Sequence, residues 1–451
     1  MSRPAGEDPR VERLRAHVDW LADPARAGRE TGTPAERAVA EDLARRFAGA
    51  GLDPAGTEGF LQPVPVVRTR AGPGTLAVTA PGGERWTAPE GSFAVRCPGD
   101  ADCRIEDRAR VARLEAPASP LDTSSAALRL ERLVRESGAE GALVLIAEPD
   151  WADALAGLQA ARCRRAGEAD PDREDPFVIA VNAASAPAWL KSVRPGTRIE
   201  VHGTGAVEVE GATGWNVAGI LPGSDPGRAG EAVVLTAHHD HLGTRVIGGR
   251  SVVYPGVVDN ALSVAELVET ARLLTAGPRP PRSIVCLCPT AEETGFLGTR
   301  HWLDRPPPGT PRPIANWNHD GASEAWGRAA SAVLVSGARS PLTGTFAGVA
   351  REQGIAVVDN PFPSEGFFFR SDHYVFAEAD IAAALVFLGP LYAGELPEWG
   401  IARAASYLRE AYHQPGDDVG QIVTWEGALQ FIDLWAGLAR ASAAADSGSD
   451  M

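Results

Sequence analysis

The sequence predicts an α/β fold, a mostly parallel central sheet flanked by helices, with a smaller β-rich α/β module inserted in it. Three observations carry this. From about Asn216 onward, near-continuous apolar runs alternate with amphipathic helical segments. Residues 10–62 show helical periodicity. Between them, residues 66–205 hold short β-like runs separated by joints rich in Pro, Gly and Asp.

The elements follow in order. Val11, Leu14, Val18 and Leu21 recur at three- and four-residue steps, which marks a first helix. A second runs over 34–49, with Ala38, Leu43 and Phe47 on its apolar side, Thr33 as N-cap, Pro34 at the first helical position and Gly51 closing it. In the insert, strands fall at 75–79, 142–146, 177–181 and 198–201, with one helix at 126–137. Later strands fall at 232–237, 283–288, 332–335 and 381–387. Helices follow at 261–274, 294–303, 342–353 and 425–442. The chain therefore divides into N-terminal helices of the main domain (1–65), the insert (66–205), the rest of the main domain (206–445) and a tail (446–451). Such folds place chemistry beyond the carboxyl ends of their parallel strands.

Composition narrows the function. The chain of 451 residues is 44% apolar and 23% charged, the proportions of a globular protein with room for two domains or a few. Its formal net charge of -16 repels phosphate backbones, so nucleic acid is not expected as a partner. No apolar window is long enough for a membrane span, and Met1–Arg10 lacks the apolar core of a signal peptide. A cytoplasmic location is expected, or an extracytoplasmic one if a leader was removed. Five scattered cysteines are no disulfide framework. Cys97 and Cys103 either close a small loop or stay free, and Cys286 and Cys288 read as buried fillers.

Seven of the nine histidines lie at or after position 238, and most of the His and acid clusters there follow an apolar run. They are Ala237-His238-His239-Asp240-His241, Val258-Asp259-Asn260, Ala291-Glu292-Glu293, Asn318-His319-Asp320-Gly321 and Tyr412-His413-Gln414-Pro415. Any one pair is usually a solvated loop or a cap. Five in one α/β domain point to metal. His238 and Asp240 are two apart, so an extended chain turns both to one face, where the carboxylate can orient a metal-bound imidazole. On the same alternation His239 and His241 point away. Mixed imidazole and carboxylate donors favour zinc, with manganese or cobalt as substitutes.

These clusters resemble the co-catalytic zinc exopeptidases of the aminopeptidase Y and bacterial leucyl aminopeptidase type. The segments AHHDHLG (237–243), PGVVDNA (255–261), TAEETGFLG (290–298), SDHYVF (371–376) and YHQPGD (412–417) occur in the family's order. Gly28-Arg29-Glu30-Thr31-Gly32-Thr33 is similar to its N-terminal region, and residues 66–205 resemble its inserted protease-associated domain. The resemblance implies the zinc-exopeptidase (phosphorylase/hydrolase-like) fold and an aminopeptidase with two Zn²⁺. His238 and Asp320 would hold one ion and Glu293 and His413 the other, with Asp259 bridging. Asp240 would orient His238. Glu292 would be the general base in hydrolysis of a peptide substrate.

Some positions depart from that pattern. Val258 stands where Asp or Asn often precedes the bridging Asp, and Leu262-Ser263 replace Ser-Gly. His319 stands where an apolar residue is usual, and is expected to be buried or behind the ligands. Phe368 and Tyr374, in an aromatic run, either pack in the core or line a pocket for an apolar side chain. Phenylalanine replaces the tyrosine that stabilises the oxyanion in some relatives; Arg370 either takes that part or is a surface arginine. A carboxypeptidase or dipeptidase, a one-zinc glutaminyl cyclase and a non-catalytic binding protein are the alternatives. The full set of candidate ligands argues against the last two.

Overall fold

A computed structural model of the protein describes residues 8–97, 103–113, 133, 141–147, 150–159, 162–167, 177–247, 250–336 and 340–445. Helices α1 (Pro9–Ala22) and α2 (Pro34–Gly49) open the chain. Asp8 accepts the amide of Arg10 and Thr33 that of Glu36, and each helix starts on a proline. The stripe Val11, Leu14, Val18, Leu21 is buried as periodicity requires, and α2 buries Val39, Ala40, Leu43 and Phe47.

Among the described residues most strands join one 15-stranded sheet, Thr244–Ile247 and Arg250–Val253 forming a separate pair; eleven strands of the large sheet matter here. They are β1 (Leu61–Thr79), β2 (Phe93–Arg96), β3 (Cys103–Arg113), β4 (Gly141–Ile146), β5 (Phe177–Asn182), β6 (Arg198–Leu221), β7 (Glu231–Thr236), β8 (Ser283–Cys288), β9 (Arg312–Asn318), β10 (Ser331–Ser336) and β11 (Ala382–Leu388). Along one path the order is β10-β11-β9-β7-β8-β6-β3-β4-β5-β2. Its centre is parallel: β7 pairs with β8 and β9, and β9 with β11. Antiparallel β10 and β6 flank this centre, so the whole sheet is mixed.

Helices α3 (Leu262–Thr275), α4 (Leu297–Asp304), α5 (Leu342–Glu352), α6 (His373–Glu378), α7 (Trp399–Glu410) and α8 (Glu426–Ala444) cover the parallel centre. Alternate strand residues go to opposite faces. Val233, Leu235, Cys286 and Trp317 pack with α1, α2, α3 and α8, whereas Val234, Val285 and Leu287 meet Trp302 of α4 and Phe376 of α6. Two apolar faces explain why these strands read as unbroken apolar runs. Trp317 is fully buried; its indole N–H donates to Ser442 at 3.0 Å, and Trp435 donates to its carbonyl at 3.2 Å. Trp317→Ala is expected to cost about 3–5 kcal/mol by cavity formation, read from the urea midpoint. A loss under about 1 kcal/mol would show that the site collapses around the deletion.

The two longest strands were each legible at one end only. β1 and β6, of 19 and 24 residues, pair antiparallel from Leu61↔Val217 to Thr79↔Glu200 and run through positions 65/66 and 205/206. The strand β6 is exposed over Glu208–Gly211, and β1 carries Pro, Arg, Thr and Gly through its middle. A separate core of Leu76, Val78, Ile105, Leu143, Ile179 and Val201 lies beyond them. Cys97 and Cys103 form a disulfide, and Cys286 and Cys288 are buried thiols. Of the expected helix 126–137 only Leu133 is described, and it is helical; the tail 446–451 lies outside the described residues. The helix expected from 294 begins at Leu297, since Phe296 is left-handed with φ 60°. Among the described residues no helix is long and apolar enough to cross a membrane.

Candidate metal centre

The clusters named from sequence meet where the parallel strands end. His238 follows β7, Glu292 and Glu293 follow β8, and Asp320 follows β9. Asp259 lies in the turn before α3, and His413 three residues after α7, with φ 57°. The Nε2 of His238 lies 3.2 Å from Asp259 Oδ1 and 3.3 Å from Asp320 Oδ1. The Nε2 of His413 lies 3.1 Å from Asp259 Oδ2 and 3.1 Å from Glu293 Oε2. The two oxygens of Asp259 thus face two different imidazoles. Donors of a tetrahedral zinc site with bonds of ~2.0–2.1 Å sit roughly 3.3 Å apart, so this donor set fits the metal.

Neighbours fix each side chain. His238 Nδ1 faces the carbonyl of Asp240 at 3.2 Å and its carboxylate at 3.7 Å. That carboxylate accepts from Thr31 Oγ1 at 3.1 Å and from the Glu292 amide at 3.2 Å. Asp417, which sequence reasoning left without a role, accepts the amides of Val258 and Asp259 at 2.9 and 3.0 Å and so holds the Asp259 turn. Its place at the end of YHQPGD was the available signal.

Charge is concentrated here. Burial opposes a proton on His238, yet Glu292, Asp320, Asp240 and Asp259 outweigh it and drive its pKa well above the ordinary value. His413 rises likewise beside Glu293 and Asp259. Burial raises Glu293, but His413 and His241 prevail and hold it at about 2. Glu292 goes the other way: burial, with Asp320 and Glu293 nearby, pushes it well above the usual carboxyl range despite His238. Three imidazoles (His238, His241 and His413) lie among five carboxylates, a mixed donor set of the kind that binds divalent cations.

Three histidines outside the proposed set have distinct places. His239 Nε2 is 3.2 Å from the buried carboxylate of Glu36. His241 does not point away from the centre. Its Nδ1 is 2.6 Å from Glu293 Oε1, because the chain leaves the sheet at Thr236 and strand alternation no longer applies. His319 is buried, stacked on Phe431, with Glu324 at 2.9 Å and Glu266 at 3.1 Å. Burial lowers its pKa, but the two carboxylates lift it to about 10, while burial and Glu324 push Glu266 well above the usual carboxyl range.

A cleft of about 880 Å³, part of it open to solvent, adjoins Asp320 and Val258. Trp326, Phe362, Phe367, Phe387 and Tyr392 are among its walls, and Arg370 and Tyr412 line it too. Phe368 and Tyr374 are not among its lining residues. They meet each other and Phe369 edge-on, while Phe367 turns to Phe387. Arg370 is half-buried rather than a free surface group; it donates to Tyr412 Oη at 3.3 Å and pairs with Glu365 at 3.4 Å.

A mixed α/β sheet with a His–carboxylate cluster at the carboxyl ends of its parallel strands defines a metallopeptidase of the co-catalytic zinc exopeptidase class. Residues 216–439 belong to peptidase family M28. The chain is similar in structure to an aminopeptidase from Aneurinibacillus sp. strain AM-1, at 18% identity and TM-score 0.59 over 97% of this chain and 94% of that one. A zinc aminopeptidase from Bacillus subtilis matches at 18% and 0.59 over 98% and 97%, and a peptidase M28 precursor from Shewanella amazonensis SB2B at 15% and 0.54 over 97% and 98%. At these identities the likeness is one of fold. No curated protein matches the sequence.

Proposed function

We propose that this peptidase is an aminopeptidase with two zinc ions, for which manganese or cobalt can substitute. His238 and Asp320 would hold one, Glu293 and His413 the other, and Asp259 both. The observation that carries this reading is the two-sided carboxylate of Asp259, 3.2 Å from His238 and 3.1 Å from His413. Bound there, the cations supply Lewis acidity to the scissile carbonyl and to the attacking water. Glu292 accepts the water's proton as its oxygen bonds to the carbonyl carbon. It returns that proton to the amine nitrogen as the C–N bond breaks. Asp240 keeps the His238 ring aimed. The aromatic cleft takes the apolar side chain of the first residue. Residues 66–205 correspond, on this reading, to the protease-associated module.

The terminus chosen follows from charge. The centre is rich in carboxylates and suits a free ammonium group. Arg370, the arginine among the cleft's lining residues, is already paired with Glu365, which weakens the case for a carboxypeptidase. Leucyl and phenylalanyl anilides are expected to be cleaved, and their N-acetyl forms roughly 10²-fold more slowly or worse. Equal rates on free and blocked substrates would sink the aminopeptidase reading. One metal ion per chain in place of two would favour the cyclase.

A further inference from the structure

The tripeptide Arg29-Glu30-Thr31 belongs to none of the ligand clusters and lies about 200 residues before them. Arg29 is 1% exposed, with φ 54° in the left-handed region that non-glycine residues rarely adopt. Its guanidinium donates to four backbone carbonyls: Leu21 at 3.1 Å, His239 at 3.0 Å, Gly256 at 2.9 Å, and Pro255. His239 follows the candidate ligand His238, and Pro255–Gly256 lead into the turn that carries Asp259. Its own carbonyl accepts the His241 amide at 3.3 Å. Next to it, Gly28 accepts the Gly243 amide at 2.9 Å; with φ 66°, a Cβ there would lie 2.2 Å from the Gly243 oxygen. Two residues on, Thr31 Oγ1 donates to Asp240 at 3.1 Å and accepts the Ala291 amide at 3.1 Å, just before Glu292. Glu30 points the other way, to Arg68 at 2.8 Å, Arg245 at 3.0 Å and Arg70.

We propose that Arg29 and Thr31 are positioning residues of the metal centre: they clamp the loops of His238, Asp259 and Glu292-Glu293 in one arrangement before any cation binds. A guanidinium suits this because its planar fork spans several carbonyls at once. Lysine keeps the charge but projects its donors from one point. Arg29 is also a buried cation beside the carboxylates of Asp259, Asp417, Asp240 and Glu293; burial lowers its pKa to about 10, so it stays charged at neutral pH. Preorganised ligands bind metal more tightly because the cation does not have to order them. The inference rests on the metal reading above.

The test is zinc affinity by chelator competition, measured at a temperature where circular dichroism shows each variant fully folded. Arg29→Lys and Thr31→Val are expected to weaken zinc binding about 10–100-fold, the cost of losing groups that orient ligands. Added methylguanidinium is expected to restore most of the affinity lost by Arg29→Ala. A folded Arg29→Lys protein with wild-type zinc affinity would overturn the proposal. If Arg29 variants do not fold, Thr31→Val decides, and unchanged affinity in it overturns the proposal as well. Wild-type protein that binds no zinc would instead sink the metal reading, so the two failures are distinguishable.

Discussion

Glu292→Gln is expected to keep the protein's metal and lose about 10²–10⁴-fold in kcat. The amide matches the carboxylate in size but cannot accept the water's proton. Glu292 Oε2 lies 3.9 Å from His238 Nε2, whereas the candidate ligands lie at 3.1–3.3 Å from their imidazoles, so its removal should not open the cation sites. Metal analysis and saturation kinetics on one preparation check this. Turnover within tenfold of wild type would place the base elsewhere, and loss of metal would make Glu292 a ligand.

Asp259→Ala should release both cations. Its two oxygens face different imidazoles, so the substitution takes one donor from each site. It also leaves His238 and His413 among carboxylates with a gap between them. Zinc affinity is expected to fall at both sites by about 100-fold or more, beyond the 10–100-fold cost of losing a group that only orients a ligand. His413→Ala is the control: it should weaken one site and spare the other. Metal content after dialysis against graded chelator separates the two patterns. If Asp259→Ala loses a single ion, the bridging role is wrong.

Glu292 and Glu293 mark a limit of what spacing conveys. The structure sends Glu293 to His413 and His241 and sets Glu292 beside His238, yet one oxygen of each glutamate lies within 4.8 Å of the other and of a His238 ring nitrogen, so adjacency did not keep them apart. His241 shows where spacing misleads, because alternation holds only while the chain stays in the sheet. Arg29 lies 210 positions from His239 and 227 from Gly256, and nothing local to it signals those partners. Asp417 is 158 positions from Asp259, and its task is to hold two backbone amides, which any sequence possesses. The strands β1 and β6 were each legible at one end only, because β6 is exposed over Glu208–Gly211 and β1 carries Pro, Arg, Thr and Gly through its middle.

The sequence by itself marked three of the four central parallel strands (β7, β8 and β11), four of the six covering helices and the side chains offered as metal donors. Burial on two faces imposes an apolar period that needs no partner to be read, and metal chemistry restricts the usable residue types. Only the tertiary structure decided which oxygens face which imidazoles, that His319 lies buried between Glu266 and Glu324, and that Arg29 reaches the carbonyls of His239, Pro255 and Gly256. Those outcomes depend on distances between segments far apart in the chain, and hydrogen bonds to backbone carbonyls leave no residue-type signature at the receiving end.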